Sequence, residues 1–141
     1  MAEAPVTVLV DTSVWSLALR RARRHLSPEQ NRQVFVLEEI IVEGRARLLG
    51  AVRQELLSGI KHAEQFARLQ QQLRNFPDVP LTREDYETAA EISNACEAYG
   101  VVGSSIDMLL CAVALRRNWA IYTSDRDFQH YAKYTPIVLL S

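Results

Sequence analysis

The chain has 141 residues, 48% of them apolar and 23% charged, the balance of an ordinary globular protein rather than a disordered or fibrous one. A net charge of −1 excludes a protein that binds polyanions by bulk attraction. The length suits one domain spanning residues 1–141 and is too short for two.

No basic region opens the chain and its longest apolar run, Met108 to Leu115, is far shorter than a bilayer span, so neither a signal peptide nor a membrane anchor is expected. Cys96 and Cys111 lack metal-type spacing and fall inside predicted helices. Two buried, reduced thiols in a cytoplasmic protein account for them.

The first element is a strand over Val6–Asp11, five residues of high β-propensity running into a carboxylate. A short helix follows to about Arg20. The run Arg20-Arg21-Ala22-Arg23-Arg24-His25 is densely basic; it reads either as a solvated helix end or as a surface for phosphates or an acidic partner. Ser27-Pro28-Glu29-Gln30 carries a capping box with proline at the first helical position. Val34, Leu37, Ile40 and Ile41 make the apolar stripe of that second helix, which Gly44 ends. Arg47–Ala51 is short and apolar and reads as a second strand. A helix over Val52–Ser58 carries Glu55, and another over His62–Phe76 places Phe66, Leu69 and Leu73 on one face. A short extended piece, Val79–Leu81, comes next.

Thr82 to Asp85 forms a second capping box and opens a long helix with small residues along one side, stopped at Gly100. Ser104-Ser105-Ile106-Asp107 then heads a helix whose stretch Met108–Leu115 is apolar all round, hence buried. Ala120–Thr123 reads as a strand, followed by Ser124-Asp125-Arg126-Asp127-Phe128, and Pro136–Leu140 as the last strand. Strands alternating with helices define an α/β fold with a parallel central sheet.

In such a sheet the residues just after each strand share one edge, where α/β folds hold their ligands. Asp11, Glu55 and Asp125 follow strands, and Asp107 joins them if its helix starts at that edge. Each has a plain alternative. Asp11, Asp107, Asp125 and Asp127 can cap helices or turns, and Glu55 can be an exposed helix residue. Taken together, clustered carboxylates repel one another and persist where a cation neutralises them. Hard oxygen donors with few His or Cys nearby favour Mg²⁺ or Mn²⁺, with a phosphate completing the coordination. One or two such ions can hold a scissile phosphate and activate water. His25, His62 and His130 are scattered and read as surface residues.

Leu9-Val10-Asp11-Thr12-Ser13-Val14-Trp15, Val52-Arg53-Gln54-Glu55-Leu56-Leu57, Ser105-Ile106-Asp107 and Tyr122-Thr123-Ser124-Asp125-Arg126-Asp127-Phe128, in that order, resemble the PIN-domain ribonucleases, and among them the VapC-type toxins of toxin–antitoxin pairs. The resemblance implies a three-layer domain with a central parallel sheet of four to five strands flanked by helices. It also implies an endoribonuclease dependent on Mg²⁺ or Mn²⁺. Asp11 and Asp107 would be the direct ligands, Glu55 a third acid binding the ion or its water, and Asp125 the fourth. Asp127 falls where the family motif varies most. Thr12, Ser13 and Thr123 would orient the acids. A homodimer, an RNA substrate and a small antitoxin that blocks the pocket are further implications, with Arg20, Arg21, Arg23 and Arg24 serving either RNA or antitoxin.

Two other functions compete with this one. A PIN-like module without activity would only bind RNA or protein, although four retained acids repel an RNA backbone. An aspartyl-phosphate phosphatase would use Asp11 as nucleophile but wants a second Asp where Ser13 stands.

Overall fold

A computed structural model describes residues 5–140. β1 (Val8–Val10) is entirely buried, as its three apolar residues require. α1 (Thr12–Leu19) follows at once, capped by Asp11. Arg23–His25 forms a single 3-10 turn, and α2 (Pro28–Val42) starts with the complete Ser27–Gln30 capping box. β2 (Ala46–Arg47) leads into α3 (Gly50–Leu57) and α4 (Ala63–Leu73). α5 (Arg83–Glu97) and α6 (Ser105–Arg117) precede β3 (Ala120–Tyr122), α7 (Asp127–Tyr131) and β4 (Val138–Leu139).

The four strands are parallel, in the order β2-β1-β3-β4. From β1 the chain goes to β2 on one side, and from β3 to β4 on the other. The carboxyl ends of β1 and β3 therefore border the crevice at which the strand order reverses, where α/β sheets bind ligands.

α6 lies against β1 and β3 and carries α5 on its outer side, while α1 packs on α2 and α3. Met108 through Ala114 are all buried, as an all-round apolar helix demands. α6 ends at Asn118 in the left-handed conformation (φ 58°), and the Trp119 N–H donates back to the Ala114 carbonyl (2.9 Å). That turn delivers the chain directly into β3. Asp85, fully buried, completes the Thr82 capping box and also accepts from Arg116 (2.5 Å) and Arg117 (2.8 and 2.9 Å), which clamps α5 onto the end of α6.

Several boundaries differ from the sequence reading. The second strand is Ala46–Arg47 rather than Arg47–Ala51; Leu48 continues only as an isolated bridge to Asp78, and Gly50 and Ala51 already belong to α3. Leu48 and Leu49 are both fully buried; burial alone makes such a run apolar, and periodicity does not separate strand from helix over so short a stretch. The first strand does not include Val6 and Thr7, and the last shortens to two residues. α7 is a one-turn helix in a segment to which the sequence assigns no element. Among the described residues, no helix is long and apolar enough to cross a membrane.

Candidate active site

Asp11 ends β1 at the crevice and is only 5% exposed. Two hydroxyls donate to its Oδ2: Ser13 Oγ at 2.7 Å and Thr123 Oγ1 at 2.8 Å. Each hydroxyl in turn accepts a backbone N–H from the loop after β3, Ser13 from Ser124 (3.0 Å) and Thr123 from Asp125 (2.9 Å). With their lone pairs engaged there, both hydroxyls are committed as donors toward Asp11. The Ser13 N–H reaches the same oxygen at 3.4 Å. These bonds all fall on Oδ2, which leaves Oδ1 for another partner.

Asp107 stands in the first turn of α6, its N–H donating to the Ser104 side chain (3.1 Å). The capping box is not reciprocal, because the Asp107 carboxylate accepts from the buried Tyr131 hydroxyl instead (Oδ2, 2.7 Å). Asp125 is exposed, and its Oδ1 accepts the Asp127 N–H at 2.9 Å. Asp127 contributes through its backbone and opens α7. Glu55, exposed on α3, accepts the Thr12 hydroxyl, which ties α3 to the start of α1.

The electrostatics show which acids face each other. Burial pushes the Asp11 carboxyl above its ordinary pKa, and its hydrogen bonds only partly offset this. Asp107 is raised first by burial, and further by the negative charges of Asp11 and Asp125. Burial and the adjoining Asp107 carboxylate push the Tyr131 phenol up as well, so it remains a donor.

Asp11, Asp107 and Asp125 thus share one crevice, and Glu55 reaches its rim through Thr12. Among the described residues, no three His, Cys, Asp or Glu side chains stand close enough to enclose an ion. The donor set nonetheless suits a hard divalent cation. Its oxygens are carboxylates, one is buried with Oδ1 free, and their charges repel. Mg²⁺ takes only one or two carboxylates directly and keeps water elsewhere.

The basic run lies elsewhere. Arg20 and Arg21 sit past the end of α1, about 12 Å along the helix from Asp11. They line a cavity of about 470 Å³ with Arg68 and Leu69 of α4. Arg23 pairs with Glu38 on α2, and Arg24 bonds His25. His25, His62 and His130 are all exposed. Cys96 and Cys111 are buried and unbridged.

Tyr131 is the site residue that the sequence reading missed. The available signal is its phenol on an otherwise apolar helix face, since a buried tyrosine hydroxyl needs a partner.

A sequence model described as the PIN domain matches residues 8–134; the chain belongs to the PIN-domain family. No curated protein matches significantly. Among solved structures, the chain is similar to FitAcB from Neisseria gonorrhoeae, with 19% identity, a TM-score of 0.73, and coverage of 96% of this chain and 97% of that one. It is also similar to VapBC2 from Rickettsia felis bound to a DNA fragment from their promoter, with 15% identity, a TM-score of 0.71, and 95% and 97% coverage. A third similar structure is VapBC-5 from Mycobacterium tuberculosis, of the VapBC family of toxin-antitoxin systems, at 17% identity, a TM-score of 0.65, and 96% and 100% coverage. At these identities the likeness is one of fold.

Proposed function

We propose that this chain is a Mg²⁺- or Mn²⁺-dependent endoribonuclease, the toxin of a toxin–antitoxin pair. The observation that carries the reading is the crevice itself. Asp11 is buried with the Ser13 and Thr123 hydroxyls both on its Oδ2, and Asp107 is raised first by burial and then by the charges of Asp11 and Asp125. Like charges gathered around one buried carboxylate have a use when a cation and a phosphate meet there.

Asp11 and Asp107 would hold the ion, with Asp125 and Glu55 completing the acidic set. When bound, a divalent ion neutralises phosphate charge and makes water a stronger nucleophile. The chain's own groups do the rest. Ser13 and Thr123 fix the Asp11 carboxylate, and Tyr131 fixes that of Asp107. The Asp127 N–H orients Asp125, while Glu55, exposed and steadied by Thr12, would be the third acid that binds the ion or its water.

The similarity to toxin–antitoxin complexes supports an antitoxin partner for this chain; a homodimer belongs to the same reading, with Arg20, Arg21, Arg23 and Arg24 available to RNA or to that partner. A cytoplasmic location follows from this role.

The test is RNA cleavage by the purified chain. Activity is expected with Mn²⁺ or Mg²⁺, absent in EDTA and lost in Asp11→Asn; equal cleavage by Asp11→Asn and the unaltered chain would refute the assignment. The exposure of Asp125 and Glu55 favours one other reading, a PIN-like module that binds RNA or protein without cutting. A calorimetric titration showing no Mn²⁺ binding would favour that reading instead.

A further inference from the structure

A second cavity, of about 320 Å³, opens beside the acidic crevice and shares Thr123 and Asp125 with it. That volume falls in the range of small-ligand sites. Its wall is built from α2 on one side and α7 on the other. Gln33 is tied down through its backbone carbonyl, which accepts the Tyr122 hydroxyl (2.9 Å). Gln129 is tied through its backbone N–H, which donates to the Arg126 carbonyl (3.0 Å). Both glutamines line the cavity, with Glu29 one turn before Gln33 on the same wall, and none of these bonds uses their side-chain amides. Leu139 and Leu140, just after the start of β4, supply an apolar floor.

We infer that this cavity is a nucleobase subsite: it takes the base of a nucleotide next to the scissile phosphate, and Gln33 and Gln129 read its edge. The inference rests on the nuclease reading for the position of that phosphate. Three features select a base over other occupants. An amide offers a donor and an acceptor side by side, the pattern that pairs with a base edge. An unstacked RNA base needs an apolar surface for its ring, which the two leucines give. Arg126, exposed on the same wall, is positioned for the neighbouring phosphate. The subsite adjoins Asp125, so a base held there fixes which phosphodiester enters the crevice.

The experiment uses the full chain carrying Asp11→Asn, so that RNA stays intact, and fluorescein-labelled RNA hexanucleotides differing in one base. Fluorescence anisotropy gives the affinity for each. One base is expected to bind about tenfold more tightly than the poorest. Adding Gln33→Ala with Gln129→Ala should flatten that preference to about twofold, while binding common to all four sequences persists. Equal affinity for the four bases before the amides are removed overturns the inference, and so does a preference that survives their removal. If the amide substitutions leave base preference intact and instead weaken binding of a co-expressed antitoxin, the cavity serves a protein segment and the inference fails. A base preference that depends on the amides, in a chain that cleaves no RNA with Asp11 restored, leaves the subsite standing and removes the nuclease reading.

Discussion

Asp11→Asn should stabilise the chain in the absence of metal and abolish its response to divalent ions. Asn has the shape of Asp, accepts the Ser13 and Thr123 hydroxyl bonds through its side-chain oxygen, and is an equally good N-cap for α1. What the substitution removes is a buried charge that also raises Asp107. Relief of this kind contributes about 0.5–2 kcal/mol, which in a chain of this size is about 2–8 °C in Tm at roughly 4 °C per kcal/mol. The pH dependence has a definite sign. Asp11 and Asp107 have folded pKa values above the ordinary 3.8, so the native chain holds protons that the unfolded chain releases. Their favourable contribution is complete below that value and is lost as pH rises through the folded pKa. The unaltered chain and Asp11→Asn should therefore melt together in acid and separate toward neutral pH, with the variant higher. Mn²⁺ reverses the order, because an ion at a hundred times its Kd adds about 2.7 kcal/mol to the chain that binds it. Thermal melts in EDTA and in Mn²⁺ across the acid-to-neutral range measure all of this. A variant that melts below the unaltered chain in EDTA at neutral pH would show that Ser13 and Thr123 already satisfy the charge. Equal stabilisation of both by Mn²⁺ would remove Asp11 from the ligand set.

Other substitutions test the surrounding architecture. Asp85→Asn should cost about 2 kcal/mol at neutral pH, less than the usual 3–5 for a broken buried pair because both guanidiniums reach solvent. Arg117 and the other partners hold the Asp85 carboxyl far below its ordinary value, so its contribution is present above pH 3.8 and fades as pH falls below it; urea midpoints of the two chains should converge in acid. Tyr131→Phe deletes one hydroxyl bond to Asp107 and should weaken Mn²⁺ binding about tenfold or more by calorimetry, with a loss of about 1–2 kcal/mol in stability. In Gly103→Ala the new methyl would collide with the terminal methyl of Met108 and press on the Tyr131 ring, 3.0 Å from its hydroxyl. Met108 must move and Tyr131 give by a few tenths of an ångström, so about 1–3 kcal/mol of destabilisation in the melt should come with weaker Mn²⁺ binding.

What the sequence makes legible is what it encodes locally. The β-rich run into Asp11, the Ser27 and Thr82 capping boxes and the all-round apolar stretch after Asp107 are patterns within a few residues, and each forms the element they predict. That Asp11 and Asp125 meet was readable because parallel-sheet geometry sends the strand exits to one edge; Asp107 joins them from the head of α6. Contacts between distant positions leave no such trace. The Tyr131 bond to Asp107 spans 24 residues, and the arginine clamp on Asp85 spans 31 and 32. Gln33 and Gln129 meet across one cavity from opposite parts of the chain. The extent of the second strand is illegible for a different reason: Leu48 and Leu49 are buried whichever element owns them.

The bond from Thr123 to Asp11 joins residues 112 positions apart, and this has a consequence for timing. A ribosome makes Asp11 early and Thr123 and Asp125 long afterwards. Until β3 exists, Asp11 lacks the Thr123 hydroxyl, the Ser13 hydroxyl lacks its Ser124 partner, and the crevice has only one wall. Closing so long a loop is also among the slower steps of folding. The acidic centre therefore cannot be complete until β3 and the loop after it have been made.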